Sequence, residues 1–187
     1  MSYSQTYYAR MIRAIQGLDL QEVERAVDLI EDAWRADQQI FTLGNGGSGS
    51  TASHFISDWN KGIPARDGRR LRGICLNDNV PMMMAYANDV SYESIFEEPL
   101  KNLMRPGDLV IGISGSGNSR NVLRAITYAN EHGGRTLGLC GYDGGRLKEL
   151  AQHVLHVREH HMQLVEDLHL SFGHVVMGRL CGDPRQT

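Results

Sequence analysis

No apolar run in this sequence approaches the roughly 20 residues that a bilayer-spanning helix requires, which excludes a helical membrane span. The first residues, MSYSQTYYARMIRA, lack the apolar core of a secretory signal, and the expected location is the cytoplasm. Positive charge is not in surplus either: 19 Lys and Arg against 22 Asp and Glu leave a net charge of −3 and no basic surface for nucleic acid. Cysteine is scarce and unpaired. Cys75, Cys140 and Cys181 are widely spaced with no CxxC, and the first two fall in predicted strands, so they read as buried free thiols. Internal repeats and low-complexity tracts are absent. What remains is an ordinary globular composition, 41% hydrophobic and 22% charged, in 187 residues. That length suits one domain with a real core and is short for two.

The sequence is organised around Asp108 to Ser119, DLVIGISGSGNS. Leu109, Val110, Ile111 and Ile113 form an apolar block with little alternation, as in a strand buried on both faces of a parallel sheet. A turn with three hydroxyls follows, Ser114, Ser116 and Ser119. It opens a helix for which Asn118 or Ser119 is the N-cap, with Val122, Leu123, Ala125 and Ile126 at helical spacing. A phosphate there would meet unpaired backbone N–H groups, the positive end of a helix dipole and the hydroxyls. One such turn is a weak signal, since Gly and Ser make tight turns in many α/β proteins. A second one follows the apolar run IFTL, as GNGGSGSTASHF from Gly44. Two such turns at the carboxyl ends of parallel strands are where open α/β sheets bind ligands.

Taken in order, apolar residues at helical spacing predict two helices between Ser4 and Asp37, broken near Gly17 to Leu20. This pair, residues 1–37, either contacts another copy of the chain or packs only on its own sheet. Strands are predicted at Gln39–Leu43, Leu71–Leu76, Leu109–Ile113, Arg135–Gly141 and His153–Val157. Helices are predicted at Ser48–Asn60, Met82–Asp89, Tyr92–Met104, to about His132 after the serine turn, at Gly144–Leu150 and at Gln163–Leu180. A basic loop, ARDGRR, precedes the second strand, and GDPRQT frays beyond the last helix. The methionine run Met82–Met84 reads as core filler. Strands alternating with helices predict a parallel sheet covered on both faces.

Some side chains carry chemistry. His54 and Asp58 lie four apart on the helix after the first glycine turn, a spacing that suits a chelate and equally a hydrogen-bonded pair. The last helix holds Glu166, His169 and His174; Glu166 and His174 are eight apart, roughly 12 Å along the axis, which is no metal signature by itself. His153, His160 and His161 carry no assigned role. GNGGSG at Gly44–Gly49 matches the dinucleotide fingerprint GxGxxG. The short chain, the second hydroxyl-rich turn and the late position of Asn77 and Asp78 fit a sugar phosphate better than a dinucleotide.

As a set, GNGGSxS with xxHFxxD, ANDxxYExIFEEPL, GDLVIGISGSGNS, LGLCGYDGG and VEDLHLSFGH resemble the sugar isomerase (SIS) domain family, and within it the phosphoheptose isomerases. The likeness covers nearly the whole chain. It implies a single SIS domain over residues 1–187: a three-layer, flavodoxin-like α/β fold with a five-stranded parallel sheet, helices on both faces and two N-terminal helices. It implies a homotetramer whose active sites lie at subunit boundaries, and one zinc per site. Carried over position by position, it places substrate contacts on Asn45, Gly46, Gly47, Asn88, Asp89 and Glu166, with Ser114, Gly115, Ser116 and Ser119 at the phosphate. The metal ligands fall on His54, Asp58, Glu166 and His174, and the catalytic groups on Asp58, Glu166 and His174. The sequence departs from the family in having Asp58 where Glu is usual, Glu166 for Gln and Gly115 where Thr is frequent.

The implied reaction turns sedoheptulose 7-phosphate into an aldoheptose 7-phosphate. A proton leaves C1 and one is returned at C2 through an enediolate. Glu166 or Asp58 is the expected base and His174 its acid partner, with the metal as Lewis acid. The alternative is a SIS domain that binds sugar phosphates or a protein partner without catalysis. Such a protein is expected to lack the metal ligands, whereas all four positions here can ligate.

Overall fold

A computed structural model describes residues 2–64 and 69–182; most of the basic loop and the tail after Gly182 lie outside them. Two helices come first, α1 (Tyr3–Gln16) and α2 (Leu20–Arg35). Ser2 and Gln5 form a capping box on α1, Asp19 caps α2 through the N–H groups of Gln21 and Glu22, and Gly17 ends α1. Then β1 (Gln39–Gly44), α3 (Gly46–Gly62), β2 (Arg72–Cys75) and α4 (Val80–Asp89) follow. The segment predicted as one helix from Tyr92 divides instead. A 3-10 turn at Tyr92–Ser94 is followed by α5 (Glu97–Leu103), which carries Pro99 in its first turn, where a missing N–H costs nothing. The chain closes with β3 (Leu109–Ser114), α6 (Arg120–Glu131), β4 (Arg135–Cys140), α7 (Gly145–Leu150), β5 (His153–His156) and α8 (Met162–Cys181).

The five strands are all parallel, in the order β2-β1-β3-β4-β5. Both faces are buried, which is why β3 reads as an unbroken apolar run. Leu109, Ile111 and Ile113 face a core shared with α2, α3 and α8. Val110 faces the opposite core with Phe41, Leu43, Phe96 and the apolar side of α6. Glycine replaces a side chain where a helix lies closest: a methyl at Gly112 would fall 3.0 Å from Val122, and one at Gly138 2.9 Å from Leu147.

Helices α3 and α8 meet through an aromatic seam. Phe55 stacks on Trp59 at 4.9 Å and meets Phe172 edge-on at 6.2 Å, while the Trp59 indole N–H donates to the Gly173 carbonyl at 3.1 Å. A methyl at Gly173 would overlap the Phe55 ring, so its absence lets the two helices close. Two expectations need correction. The methionine run is not buried core: α4 buries none of its residues and Met84 is 67% exposed, while Met83 packs half-buried against the edge of the core that holds Phe41 and Phe96. Cys181 is exposed near the end of α8, and only Cys75 and Cys140 are buried. Burial pushes these two thiols up to about 11 and about 12, so neither is a thiolate near neutrality.

Candidate active site

The strand order reverses direction between β1 and β3, the pair whose carboxyl ends carry the two glycine turns. They therefore flank one crevice, at the topological switch point. In the first turn Asn77 brackets Gly44, accepting from its N–H at 3.2 Å and donating to its carbonyl at 2.8 Å. Gly46 has φ +52, a left-handed conformation, and the space where its side chain would begin is open. In the second turn the Ser114 hydroxyl donates to Ser119 Oγ at 3.1 Å, and Ser116 Oγ accepts from the Asn118 N–H at 3.3 Å. Ser119 is the N-cap residue of α6 yet makes no side-chain cap bond, so its hydroxyl belongs to the turn. The two turns are fastened together: Asn45 and Asn121 exchange side-chain hydrogen bonds of 2.9 and 2.8 Å, and the Tyr92 hydroxyl donates to Asn45 at 3.1 Å.

The first turns of α8 lie across both loops. Met162 fills the space beside Gly115, Val165 presses on Gly141, and the Glu166 carboxylate sits where a side chain at Gly47 would be. Gly115, which departs from the resembled family, thus has a packing reason in Met162. Glu166 is held at the N-terminus of α3, where the helix dipole favours an anion.

Further along the same helices, three donors converge. His54 Nε2 lies 3.2 Å from His174 Nε2 and 3.1 Å from Asp58 Oδ2, and His174 Nε2 is 3.7 Å from that oxygen. Ligands on a tetrahedral zinc, with bonds of about 2.1 Å, stand roughly 3.4 Å apart. Two imidazole nitrogens facing each other beside a carboxylate oxygen make a donor set that a divalent cation satisfies. Among the described residues, this His–Asp–His group is the one cluster with metal-binding spacing.

The sequence-derived positions therefore sort by place. Asn45, Gly46 and Gly47 line one turn; Ser114, Gly115, Ser116 and Ser119 form the other. His54, Asp58 and His174 come together, while Glu166 stands apart from them at Gly47, because two helical turns separate it from His174 on α8. Asn88 and Asp89 bond to each other at 2.8 Å, exposed at the end of α4. Asn77, Asn121 and Tyr92 were missed. Asn121 carried a readable signal as a polar residue in the first turn of a helix, but its burial, 2% exposed, and its partner 76 positions away are set by the fold.

An open parallel sheet with two hydroxyl- and glycine-lined turns at its switch point, and a His–Asp–His cluster further along α3 and α8, defines an α/β domain with room for a small anionic ligand and a donor set that can take a cation. Residues 3–141 match the family model of the SIS domain. The chain is 34% identical over 169 residues to the phosphoheptose isomerase of Geobacter sp. (strain M21), covering 90% of this chain and 88% of that protein. The structure of the phosphoheptose isomerase from Neisseria gonorrhoeae superposes with a TM-score of 0.88 at 26% identity, covering 96% of this chain and 97% of that one. The phosphoheptose isomerase structure from Francisella tularensis, 22% identical with a TM-score of 0.85 over 97% of this chain and 95% of that one, shares the fold. The chain belongs to the SIS-domain phosphoheptose isomerase family.

Proposed function

We propose that this protein isomerises sedoheptulose 7-phosphate to an aldoheptose 7-phosphate. The observation that carries this reading is the joint presence of a serine-lined anion cradle and a free carboxylate at one switch point, with a His–Asp–His cluster further along the helices α3 and α8 that meet there. Ser114, Ser116 and Ser119 hold the phosphoryl group with the N-terminus of α6, and Asn45, Gly46 and Gly47 contact the sugar. Glu166 is the base: an Oε atom takes the proton from C1 and returns it at C2, while the proton of the C1 hydroxyl is passed to the C2 oxygen, so that the carbonyl moves to C1 and no net proton is consumed. His54, Asp58 and His174 hold a divalent metal, for which zinc is our assignment. Bound there, it supplies Lewis acidity toward the carbonyl and offsets the enediolate charge.

The protein acts as a cytoplasmic homotetramer in this reading. Support comes from α1, which has no buried residue and presents Tyr8, Ile12 and Ile15 at 62, 54 and 48% exposure. Tyr92, which bonds to the first turn through Asn45, is likewise exposed, as is Met84 on α4. Incubating the protein with a panel of ketose phosphates and following aldose formation by NMR tests the activity, alongside metal analysis of chelator-free protein. Turnover of the seven-carbon ketose with one metal per chain is expected. Metal-free protein that binds sugar phosphates without turnover would instead favour the non-catalytic alternative.

A further inference from the structure

The serine turn is shaped from behind by the segment that leaves β4. The Gly141 N–H donates to the Gly115 carbonyl and the Leu147 N–H to the Gly117 carbonyl, each at 2.9 Å, and the Arg146 N–H reaches Asn118 Oδ1 at 3.1 Å. Gly117, at φ +66, packs so closely on the Gly144 carbonyl that no side chain fits between them. The shape of residues 115–118 is thus copied from residues 140–147. Backbone bonds hold part of the latter, from the Val157 N–H to the Cys140 carbonyl at 2.9 Å and from the Tyr142 N–H to the Glu159 carbonyl at 3.0 Å, and a pair of imidazoles from distant elements adds to them. His156, at the end of β5, donates from Nε2 to the Tyr142 carbonyl at 2.9 Å; His169, on α8, donates from Nε2 to the Cys140 carbonyl at 3.2 Å. Tyr142 needs such a restraint, since its φ of +50 is a conformation that L side chains rarely take.

A carbonyl only accepts, so both rings carry their proton on Nε2. Their Nδ1 atoms are buried without a partner. An apolar side chain would fill the same space without that cost; what imidazole alone adds is the Nε2–H aimed at the turn. Burial pushes His169 down to about 4 and lowers His156 as well, keeping both neutral near pH 7. The charged neighbours of His156 are Glu22 on α2, Lys148 on α7 and Arg158, and the titratable neighbour of His169 is His156 itself.

We propose that His156 and His169 are positioning residues of the phosphate turn, holding the Cys140 and Tyr142 carbonyls so that Gly115–Asn118 keeps the shape that grips a phosphoryl group. The proposal rests on the reading of the serine turn as the phosphate site. Amide hydrogen exchange of ligand-free protein tests it directly. In His169→Leu and His156→Leu, exchange at Gly141 and Leu147 should quicken about tenfold, the effect of losing one hydrogen bond. KM for the sugar phosphate should rise about tenfold while kcat stays within about twofold. His→Gln at either position, whose amide nitrogen reaches where Nε2 was, should restore both. Nitrogen NMR of the wild-type imidazoles should show the Nε2–H tautomer in each. Nδ1–H tautomers, unchanged exchange in the Leu variants, or Gln variants as impaired as Leu would overturn the proposal. Exchange that responds as expected in a protein that fails to bind inorganic phosphate upholds the positioning role and overturns the phosphate reading instead.

Discussion

Glu166 and Asp58 are both carboxylates of the candidate site, and their neighbours separate their roles. Asp58 faces two imidazoles, whereas Glu166 faces the backbone of Gly47 at a helix N-terminus. Glu166→Gln removes a proton acceptor and keeps the shape. It should lower kcat at least about a hundredfold with KM within about threefold, while metal content stays at one per chain. Asp58→Asn and His54→Ala should instead lower metal content together with activity, measured by elemental analysis. Full activity in both Glu166→Gln and Asp58→Asn would remove the chemical assignment.

At the scale of elements, the distance between His54 and His174 is set by how closely α3 and α8 approach. Gly173 permits that approach, with the Phe55 ring lying where a methyl would be. Gly173→Ala should push the helices apart, costing about 1–3 kcal/mol as an overpacked core contact and weakening metal binding. Denaturant midpoints and metal titration would register both effects, and a variant with wild-type metal affinity would show that the seam does not set the site. Helix α8 carries Phe172 and Gly173 of the seam together with Glu166, His169 and His174, so a shift in this one helix moves all three of these side chains.

For the whole molecule, two expectations follow from burial. His169 is fully buried and its folded-state value is depressed to about 4 from 6.5. The unfolded chain therefore binds this proton first as pH falls, and stability is lost between those two values. The loss is about 2 kcal/mol between pH 7 and 5. Urea midpoints at the two pH values should differ accordingly, and His169→Gln should flatten the dependence. The exposed face of α1 is the second case: if the proposed tetramer forms through it, deleting residues 1–17 should give smaller species by light scattering, with reduced activity. The sequence alone determined the order of strands and helices, the two glycine turns and the apolar faces, because period, caps and turn residues are local properties. Its reading of Met84 and Cys181 as buried failed where burial depends on which element covers which. Only tertiary structure decided that Asn45 meets Asn121, that His54 meets His174 while Glu166 stands apart, and that His156 and His169 aim at turn carbonyls. Those partners lie on different elements, and the packing of α8 across a parallel sheet, not their spacing in the chain, brings them within bonding distance.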